Sequence, residues 1–160
     1  MTVRRAKFTD IPRIVELAEE AHERSIYNET EVQVDVQYMK RLLMTVIQRH
    51  GGKGEDATYV QVSERDGVVE GCLIVVAQRI QWVCNLLQVS DLFFYQSLKA
   101  YPNDAKLMMK GAIEWARSMK KKVYQIRFGA GNALGDYTRT AKLYERLGFS
   151  QKGGIYGMKV

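Results

Sequence analysis

The stretch Ala141-Lys142-Leu143-Tyr144-Glu145-Arg146-Leu147-Gly148-Phe149 has the pattern of a short helix followed by the turn that stops it. We predict a helix from Thr138 to Leu147, because Gly148 supplies the left-handed residue with which many helices end. Upstream of this helix, Val123 to Phe128 predicts a strand and Gly129-Ala130-Gly131-Asn132 a loop. The chain therefore passes from a strand through a glycine-rich loop into this helix.

A longer helix and another strand precede these elements. Apolar residues recur at helical intervals from Asn103 or Asp104 to Met119, whereas Leu86 to Tyr95 is rich in Leu, Val and Phe and predicts a central strand buried on both faces. Strand, helix and strand in this order predict a crossover unit, in which a right-handed connection places two parallel strands side by side.

The rest of the chain adds antiparallel strands and two more helices. The turn Arg65-Asp66-Gly67 lies between two strand patterns and predicts a hairpin. The further elements predicted from the apolar period are strands Val3 to Phe8, Thr58 to Val62, Val68 to Ala77 and Ile155 to Val160, a helix starting at Thr9 or Asp10, and a helix from about Val36 to His50. The chain of 160 residues is thus predicted to be a single α/β (α+β) domain. Its mixed twisted sheet of about six to seven strands is flanked on both faces by about four helices.

Composition narrows the function classes. With only Cys72, Cys84, His22 and His50 and no CxxC motif, a metal site is not expected, and both cysteines are predicted to be buried, reduced thiols in strands. The formal charge of +6 attracts anions, but the densest basic run, Lys120-Lys121-Lys122, has no interleaved aromatic residues, so nucleic-acid binding is not expected. No apolar run is long enough for a membrane span, and we expect a cytoplasmic protein.

The order of elements, together with 141–149, resembles the GNAT family of acyl-CoA-dependent N-acyltransferases. Three further segments are similar to that family: Arg5 to Leu17 to its first strand and helix, Asp91 to Phe94 to the end of its central strand, and Glu114 to Arg117 to the helix after its pyrophosphate loop. The sequence from Arg139 to Tyr144 is most similar to that of a subgroup often found in phages and prophages. The resemblance implies transfer of an acetyl group from acetyl-CoA to an amine by direct attack in a ternary complex, without a metal.

The same resemblance implies catalytic residues. Backbone N–H groups of the central strand near Phe93, Phe94 and Tyr95 are expected to stabilise the oxyanion that develops during acyl transfer. Tyr144 matches the family's general acid, and an ordinary tyrosine, with a pKa of about 10, is protonated at neutral pH. The alternative for Tyr144 is an ordinary helix aromatic that packs in the core.

Asp91 is the first candidate for the general base. It is an acidic group on an otherwise apolar strand, where burial raises the pKa of a carboxyl group. The alternative is a strand-end aspartate that caps a turn or faces solvent. Glu70 is a weaker candidate.

The phosphate-binding loop departs from the family's form, Gln/Arg-x-x-Gly-x-Gly/Ala. The matching stretch is Ala100-Tyr101-Pro102-Asn103-Asp104-Ala105. Asn103 replaces a glycine, and Pro102 removes an N–H donor. Asp104 places a negative charge where the phosphates are expected, which is unfavourable unless Asp104 caps the helix. Residues expected to bind the cofactor are Lys99, Asn103, Asp104, Ala105 and Lys106 of this loop, together with Phe93, Phe94 and Tyr95 of the central strand, which in the family holds the pantetheine. Two accounts remain open: the loop still binds acetyl-CoA, or the domain is a catalytically silent interaction module.

The acceptor is expected to bind near the connection between the first two helices. His22 to Gln33 is polar and somewhat acidic, and Tyr27 and Glu29 within it are candidates for contacting an amine of a small molecule or protein. A solvated loop without a recognition role is the alternative. The resemblance also implies that a homodimer could form through Ile155 to Val160, by strand pairing or by exchange of this segment.

Overall fold

The computed structural model describes residues 2–119 and 122–160, so Lys120 and Lys121 of the basic run lie outside the described residues. Within this part of the chain there are five strands and four α-helices. The strands are β1 (Val3–Arg5), β2 (Thr58–Arg65), β3 (Val68–Arg79), β4 (Leu87–Gln96) and β5 (Val123–Arg127). The helices are α1 (Ile11–Glu23), α2 (Val36–Gln48), α3 (Asp104–Ser118) and α4 (Thr138–Arg146).

The five strands form one sheet in the order β1-β2-β3-β4-β5. Strands β1 to β4 pair with one another in antiparallel order, whereas β5 pairs with β4 in parallel. The parallel pair confirms the crossover predicted around α3. The hairpin between β2 and β3 is also confirmed. Asp66 and Gly67 have φ of 51° and 81°, the pair of positive values that a tight hairpin turn of this kind requires.

The sheet separates two hydrophobic cores. One contains Leu73, Val75, Val89, Met108 and Trp115 and lies under α3 and α4, whereas the other contains Ile14, Leu17, Leu43, Val62 and Ile74 and lies under α1 and α2. Alternate residues of β3 belong to opposite cores, so β3 is the strand buried on both faces.

The prediction that the strand from Leu86 to Tyr95 is buried on both faces is wrong for the second half of β4. Leu92 is 47% exposed, and Phe93 and Phe94 are only partly buried. The reason is that β5 stops short of this half, which therefore has no neighbouring strand on that side.

The last predicted strand is absent. Ile155 to Val160 has no regular structure, and Ile155, Tyr156 and Met158 are 85%, 97% and 87% exposed. The sheet therefore has five strands, slightly fewer than predicted. The segment instead lies near the α1–α2 connection, with Lys159 Nζ 3.8 Å from Glu31 Oε1.

Smaller details complete the comparison. Helix α4 ends as predicted, because Gly148 has φ of 91° directly after it. Cys72 is buried in β3, whereas Cys84 is only partly buried and lies in the loop before β4 rather than in a strand. Among residues 2–119 and 122–160, no helix has the length and hydropathy needed to cross a membrane.

Candidate active site

The two parallel strands separate at their carboxyl ends. Pairing between β4 and β5 stops at Ser90 and Arg127, but β4 continues to Gln96. The edge of β4 that faces β5 is thus free of strand partners from Asp91 onward, within the described part of the chain. Sheets of this kind bind their ligands outside the carboxyl ends of the parallel strands. A ligand site is therefore expected at this opening.

A β-bulge lies at the start of the free edge. Val75 of β3 pairs with Asp91 and Ile74 pairs with Phe93, so Leu92 is an additional residue in β4. A bulge bends its strand and takes backbone groups out of the regular ladder, which is why bulges occur beside active sites. The bulge directly precedes the residues that were expected to provide the backbone donors.

Asp91 and Tyr144 both bind the backbone of one residue, Gly129. The N–H of Gly129 donates to Asp91 Oδ1 at 2.9 Å, and the Tyr144 hydroxyl donates to the Gly129 carbonyl at 3.0 Å. Gly129 follows β5 by two residues, Asp91 lies at the bulge in β4, and Tyr144 comes from α4. The site thus joins three elements that are far apart in sequence.

Burial sets the protonation of both side chains. It raises the pKa of Asp91, and the hydrogen bond from Gly129 N–H offsets part of this shift by favouring the ionised form. Burial also raises the pKa of Tyr144, and the negative charge of Asp91 adds to that increase. Tyr144 therefore keeps its proton throughout the physiological range, while Asp91 holds its proton to a higher pH than an exposed aspartate.

Tyr144 also packs as a core aromatic. It is 7% exposed, and its ring lies 5.9 Å from that of Phe128 and 5.7 Å from that of Phe149, centroid to centroid. The two sequence-based alternatives for Tyr144 are therefore compatible, because the ring is fixed by packing while the hydroxyl reaches the end of β5.

The three aromatic residues after the bulge point to different sides of the sheet. Phe94 packs against the core under α3 and α4, and Phe93 against the core under α1 and α2. Tyr95 is buried, and its hydroxyl accepts a hydrogen bond of 3.0 Å from Arg24. Backbone groups alternate between the two edges of a strand, so only those that point away from β3 are available to the cleft.

The loop between β4 and α3 is tied to the β2–β3 hairpin. Ser97 Oγ donates to Glu70 Oε2 and accepts from the Lys99 N–H at 3.1 Å, and the Lys99 carbonyl accepts from Arg65 at 2.9 Å. Glu70 is also paired with Arg13 at 3.2 Å, so it is not free to act as the base that the sequence left open. The side chain of Lys99 is exposed.

The amino terminus of α3 has unsatisfied donors. Within the described residues, the N–H groups of Asn103, Ala105 and Lys106 make no hydrogen bond. Free N–H groups and the positive end of the helix dipole favour an anion, and the exposed side chain of Lys106 adds a positive charge.

Two of the substitutions in this loop behave differently from expectation. Asn103 has φ of −89°, so its tolerance of left-handed geometry is not used. Asp104 does not cap α3. Its side chain is buried, with Oδ1 accepting from Thr2 at 2.7 Å and Oδ2 lacking a partner in the described residues. Because the carboxylate packs against Thr2 of the amino-terminal segment, it is removed from solvent at the helix end.

The α1–α2 connection lies beside the β5–α4 connection. The Ile26 N–H donates to the Ala133 carbonyl at 2.8 Å, which joins the two loops. Tyr27 and Glu29 are exposed on this connection, and no hydrogen bond or ion pair of the described residues ties either side chain to Asp91 or Tyr144. Sequence reasoning missed Gly129 and Arg24. The sequence indicated that Gly129 lies in a loop after a strand. It did not indicate a role in the site, because Gly129 contributes only backbone atoms.

Comparison with known proteins gives a match at the level of structure. No family model matches the chain, and no curated protein sequence matches it. The ribosomal-protein-alanine N-acetyltransferase of Brucella melitensis is 22% identical, with a TM-score of 0.68 over 96% of this chain and 86% of that chain. The glucosamine-6-phosphate N-acetyltransferase of Arabidopsis thaliana is 13% identical, with a TM-score of 0.69 over 98% of this chain and 96% of that chain.

A third similar structure is a predicted acetyltransferase from Clostridium acetobutylicum solved with acetyl-CoA, 12% identical, with a TM-score of 0.68 over 98% and 94%. At these identities the likeness concerns the fold. The chain has the mixed α/β fold of the GNAT N-acetyltransferases, as its order of elements predicted.

Proposed function

We propose that this chain is an acetyl-CoA-dependent N-acetyltransferase of the GNAT superfamily, which acetylates an amine of a small molecule or protein. The observation that carries the proposal is the Tyr144 hydroxyl at the open end of the β4–β5 cleft, linked through Gly129 to Asp91. The sequence from Arg139 to Tyr144 supports membership of the subgroup found in phages and prophages.

The residues present fit acetyl-CoA. The free N–H groups of Asn103, Ala105 and Lys106 are suited to its diphosphate, and the cations Lys99 and Lys106 supply charge. Asp104 adds a negative charge at the same helix end, although its carboxylate is directed towards Thr2 and away from solvent. The unpaired edge of β4 offers amide groups to the pantetheine arm. When bound, the thioester supplies an electrophilic carbonyl group.

The Tyr144 hydroxyl is proposed to stabilise the thiolate sulfur of the departing CoA. Its raised pKa keeps the hydroxyl protonated, but an ordinary thiol has a pKa of about 8.5, so full proton transfer from this tyrosine to a thiolate runs uphill. The contribution of Tyr144 is then a hydrogen bond donated to the sulfur, redirected from the Gly129 carbonyl. The backbone N–H groups around the bulge, from Leu92 to Tyr95, are proposed to donate to the developing oxyanion.

Asp91 is proposed to take the proton that the amine loses. A carboxyl group with a raised pKa is a stronger base than an exposed aspartate once it is ionised. Tyr27 and Glu29 are proposed to bind the acceptor, because the loop that carries them is hydrogen-bonded to the loop after β5. The net negative charge of that loop favours a cationic amine.

The first test combines binding and turnover. Isothermal titration with acetyl-CoA and with desulfo-CoA is expected to give heat, and release of free thiol with a panel of amines reports transfer. No heat at millimolar ligand overturns the proposal and leaves the silent interaction module as the better account.

Replacing Tyr144 with Phe tests the role of the hydroxyl. Phe keeps the packing against Phe128 and Phe149, so we expect kcat to fall by about 10²-fold, in the usual range for losing one hydrogen-bond donor to a developing negative charge, with acetyl-CoA affinity nearly unchanged. The matched control is Tyr124→Phe, because Tyr124 is 72% exposed on β5. A loss of affinity with unchanged kcat contradicts the role proposed for Tyr144.

Replacing Asp91 with Asn tests the base. Because only the ionised carboxylate accepts a proton, kcat/KM of the native chain is expected to rise with pH through a pKa above that of an ordinary aspartate. Asn can still accept the Gly129 N–H through its side-chain oxygen, so folding should be retained while this limb of the pH profile disappears. The same limb in the Asp91→Asn protein means that another group, or solvent, is the base.

A further inference from the structure

Arg24 lies where α1 ends and the α1–α2 connection begins. It is the cap residue at the carboxyl end of α1, and it is exposed. Its guanidinium group reaches β4, where Nη1 donates to the Tyr95 hydroxyl at 3.0 Å and Cζ lies 5.9 Å from the centre of the Tyr95 ring. Because Tyr95 is only 5% exposed, a buried ring holds this exposed cation in position.

The donors of this pair are not all used within residues 2–119 and 122–160. The Nε and Nη2 groups of Arg24 make no hydrogen bond there, and no carboxylate forms an ion pair with Arg24. The Tyr95 hydroxyl accepts from Arg24 but donates its own proton to no described atom. Two neighbouring N–H groups of a guanidinium match the two oxygens of a carboxylate, and the hydroxyl proton adds a third donor. The pair is therefore suited to an anionic oxygen ligand.

The pair lies at a measurable distance from the proposed base. Asp91 pairs with Val75 of β3. Tyr95 pairs with Cys72, three residues away on the same strand, so Asp91 and Tyr95 are roughly 10 Å apart along the sheet. An acceptor that reaches both Asp91 and Arg24 must carry its anionic group about that far from its amine. In an α-amino acid a single carbon separates the two groups, which is too short.

The surrounding charge favours a carboxylate over a phosphate. Glu23, Glu29 and Glu31 lie within seven residues of Arg24 along the chain. None of them pairs with Arg24, and Glu31 lies 3.8 Å from Lys159 Nζ. A phosphate monoester carries about 1.5 to 2 negative charges at neutral pH and would be repelled by these glutamates. A carboxylate carries one negative charge, and the amine on the same molecule adds a positive charge that the glutamates attract.

We propose that Arg24 and the Tyr95 hydroxyl bind a carboxylate of the acceptor, and that the acceptor is an amine with this carboxylate roughly 10 Å away. Long ω-amino acids have this geometry, as does the amino terminus of a peptide with an acidic group about three extended residues along. The inference rests on the proposed function, because it places the amine beside Asp91. Arg24 binds the far end of the acceptor and does not contact the reacting atoms.

The test measures kcat/KM with acetyl-CoA for ω-amino acids of increasing length: glycine, γ-aminobutyrate, ε-aminocaproate and ω-aminocaprylate. Each acid is compared with its own primary amide, which has the same amine and the same length but no negative charge. We expect the ratio of acid to amide to rise with length. At ω-aminocaprylate it should reach about tenfold or more, which corresponds to about 1.4 kcal/mol.

Replacing Arg24 with Gln supplies the second arm. Gln can still donate to the Tyr95 hydroxyl, but it has neither the charge nor the paired N–H groups. We expect the preference for ω-aminocaprylate over its amide to disappear, through a KM for the acid that is about tenfold higher. The ratio is the measurement, because damage to the fold or to the cleft lowers both substrates alike. Arg24→Lys is expected to be intermediate, and the matched control Arg41→Gln, at an exposed position of α2, should keep the full ratio.

Binding without turnover separates this inference from the proposed function. Calorimetry measures ω-aminocaprylate binding to the native chain and to Arg24→Gln, with and without desulfo-CoA. Binding that depends on Arg24 supports the carboxylate site even where no acetyl transfer occurs, and only the enzymatic proposal then fails. No binding and no transfer at millimolar acid overturns both.

Three outcomes overturn the carboxylate site while acetyl transfer proceeds. The first is equal kcat/KM for acid and amide at every length. The second is a preference for the acid that persists in Arg24→Gln. The third is an ω-aminoalkyl phosphate that is a better substrate than the acid of the same length, which assigns Arg24 to a phosphate.

Discussion

At the scale of single residues, the backbone of Gly129 links the two candidate catalytic side chains. Its N–H and its carbonyl bind two side chains from different elements, Asp91 and Tyr144, and so fix both at the end of β5. The sequence identified Asp91 and Tyr144 because their side chains stand out in their segments. It could not identify Gly129 as their link, because every residue has a similar backbone and only the fold selects this one.

His50 is a second residue whose surroundings set its protonation. Its Nδ1 accepts the Val60 N–H at 2.9 Å and its ring stacks on Tyr59, with centroids 4.8 Å apart. Burial and the nearby charge of Arg5 lower its pKa to about 4. An unfolded histidine has a pKa of about 6.5, so the folded state binds fewer protons and is stabilised above that pH.

This shift predicts a pH dependence of stability. The contribution of His50 is complete above about pH 6.5 and is lost as the pH falls towards about 4. The variant His50→Asn keeps a side-chain acceptor for Val60 but cannot titrate in this range. In urea unfolding, the native chain is expected to lose more stability than the variant between about pH 7 and pH 5. Parallel pH dependences of the two proteins would contradict the lowered pKa.

At the scale of elements, close approach of three strands depends on one glycine. A Cβ on Gly71 of β3 would lie 2.6 Å from Ser63 Oγ, 2.9 Å from Gln96 Cγ and 3.2 Å from the Tyr95 carbonyl oxygen. The end of β4, which leads into the loop before α3, therefore lies against β3 only because no side chain stands at this position.

Gly71→Ala is expected to destabilise the chain by about 1–3 kcal/mol, the usual cost of overpacking a buried site. The control is Gly131→Ala, because a Cβ there meets no atom within 4 Å. Chemical denaturation of the two variants measures the difference. A Gly71→Ala protein as stable as the control would show that β3 and β4 separate easily at this end.

The elements also show where sequence patterns succeed and fail. Periodicity located β3, α3 and β5 closely, because each pattern coincides with burial on a particular face. It failed for Ile155 to Val160, since alternation records which side chains prefer burial but not whether a strand edge will pair with them. It also overstated the burial of β4, because the early end of β5 is not visible in β4 itself.

At the scale of the whole molecule, the formal charge of +6 bears on binding to nucleic acid. Lys106 lies at the amino terminus of α3, and Arg117, Arg127 and Lys152 line a groove beside β5. A duplex would meet them as charges alone. Such binding releases counterions, and its affinity falls steeply with salt.

We therefore expect duplex DNA to bind only at low salt. In fluorescence anisotropy with a random-sequence duplex, affinity should fall by more than about 10²-fold between roughly 50 and 200 mM salt, as for contacts with several phosphates and no base readout. Binding of acetyl-CoA should change far less over that interval, because backbone N–H groups at α3 and the cleft between β4 and β5 supply contacts that do not depend on free cations. A duplex that still binds tightly at the higher salt would mean that the surface recognises nucleic acid by shape or sequence.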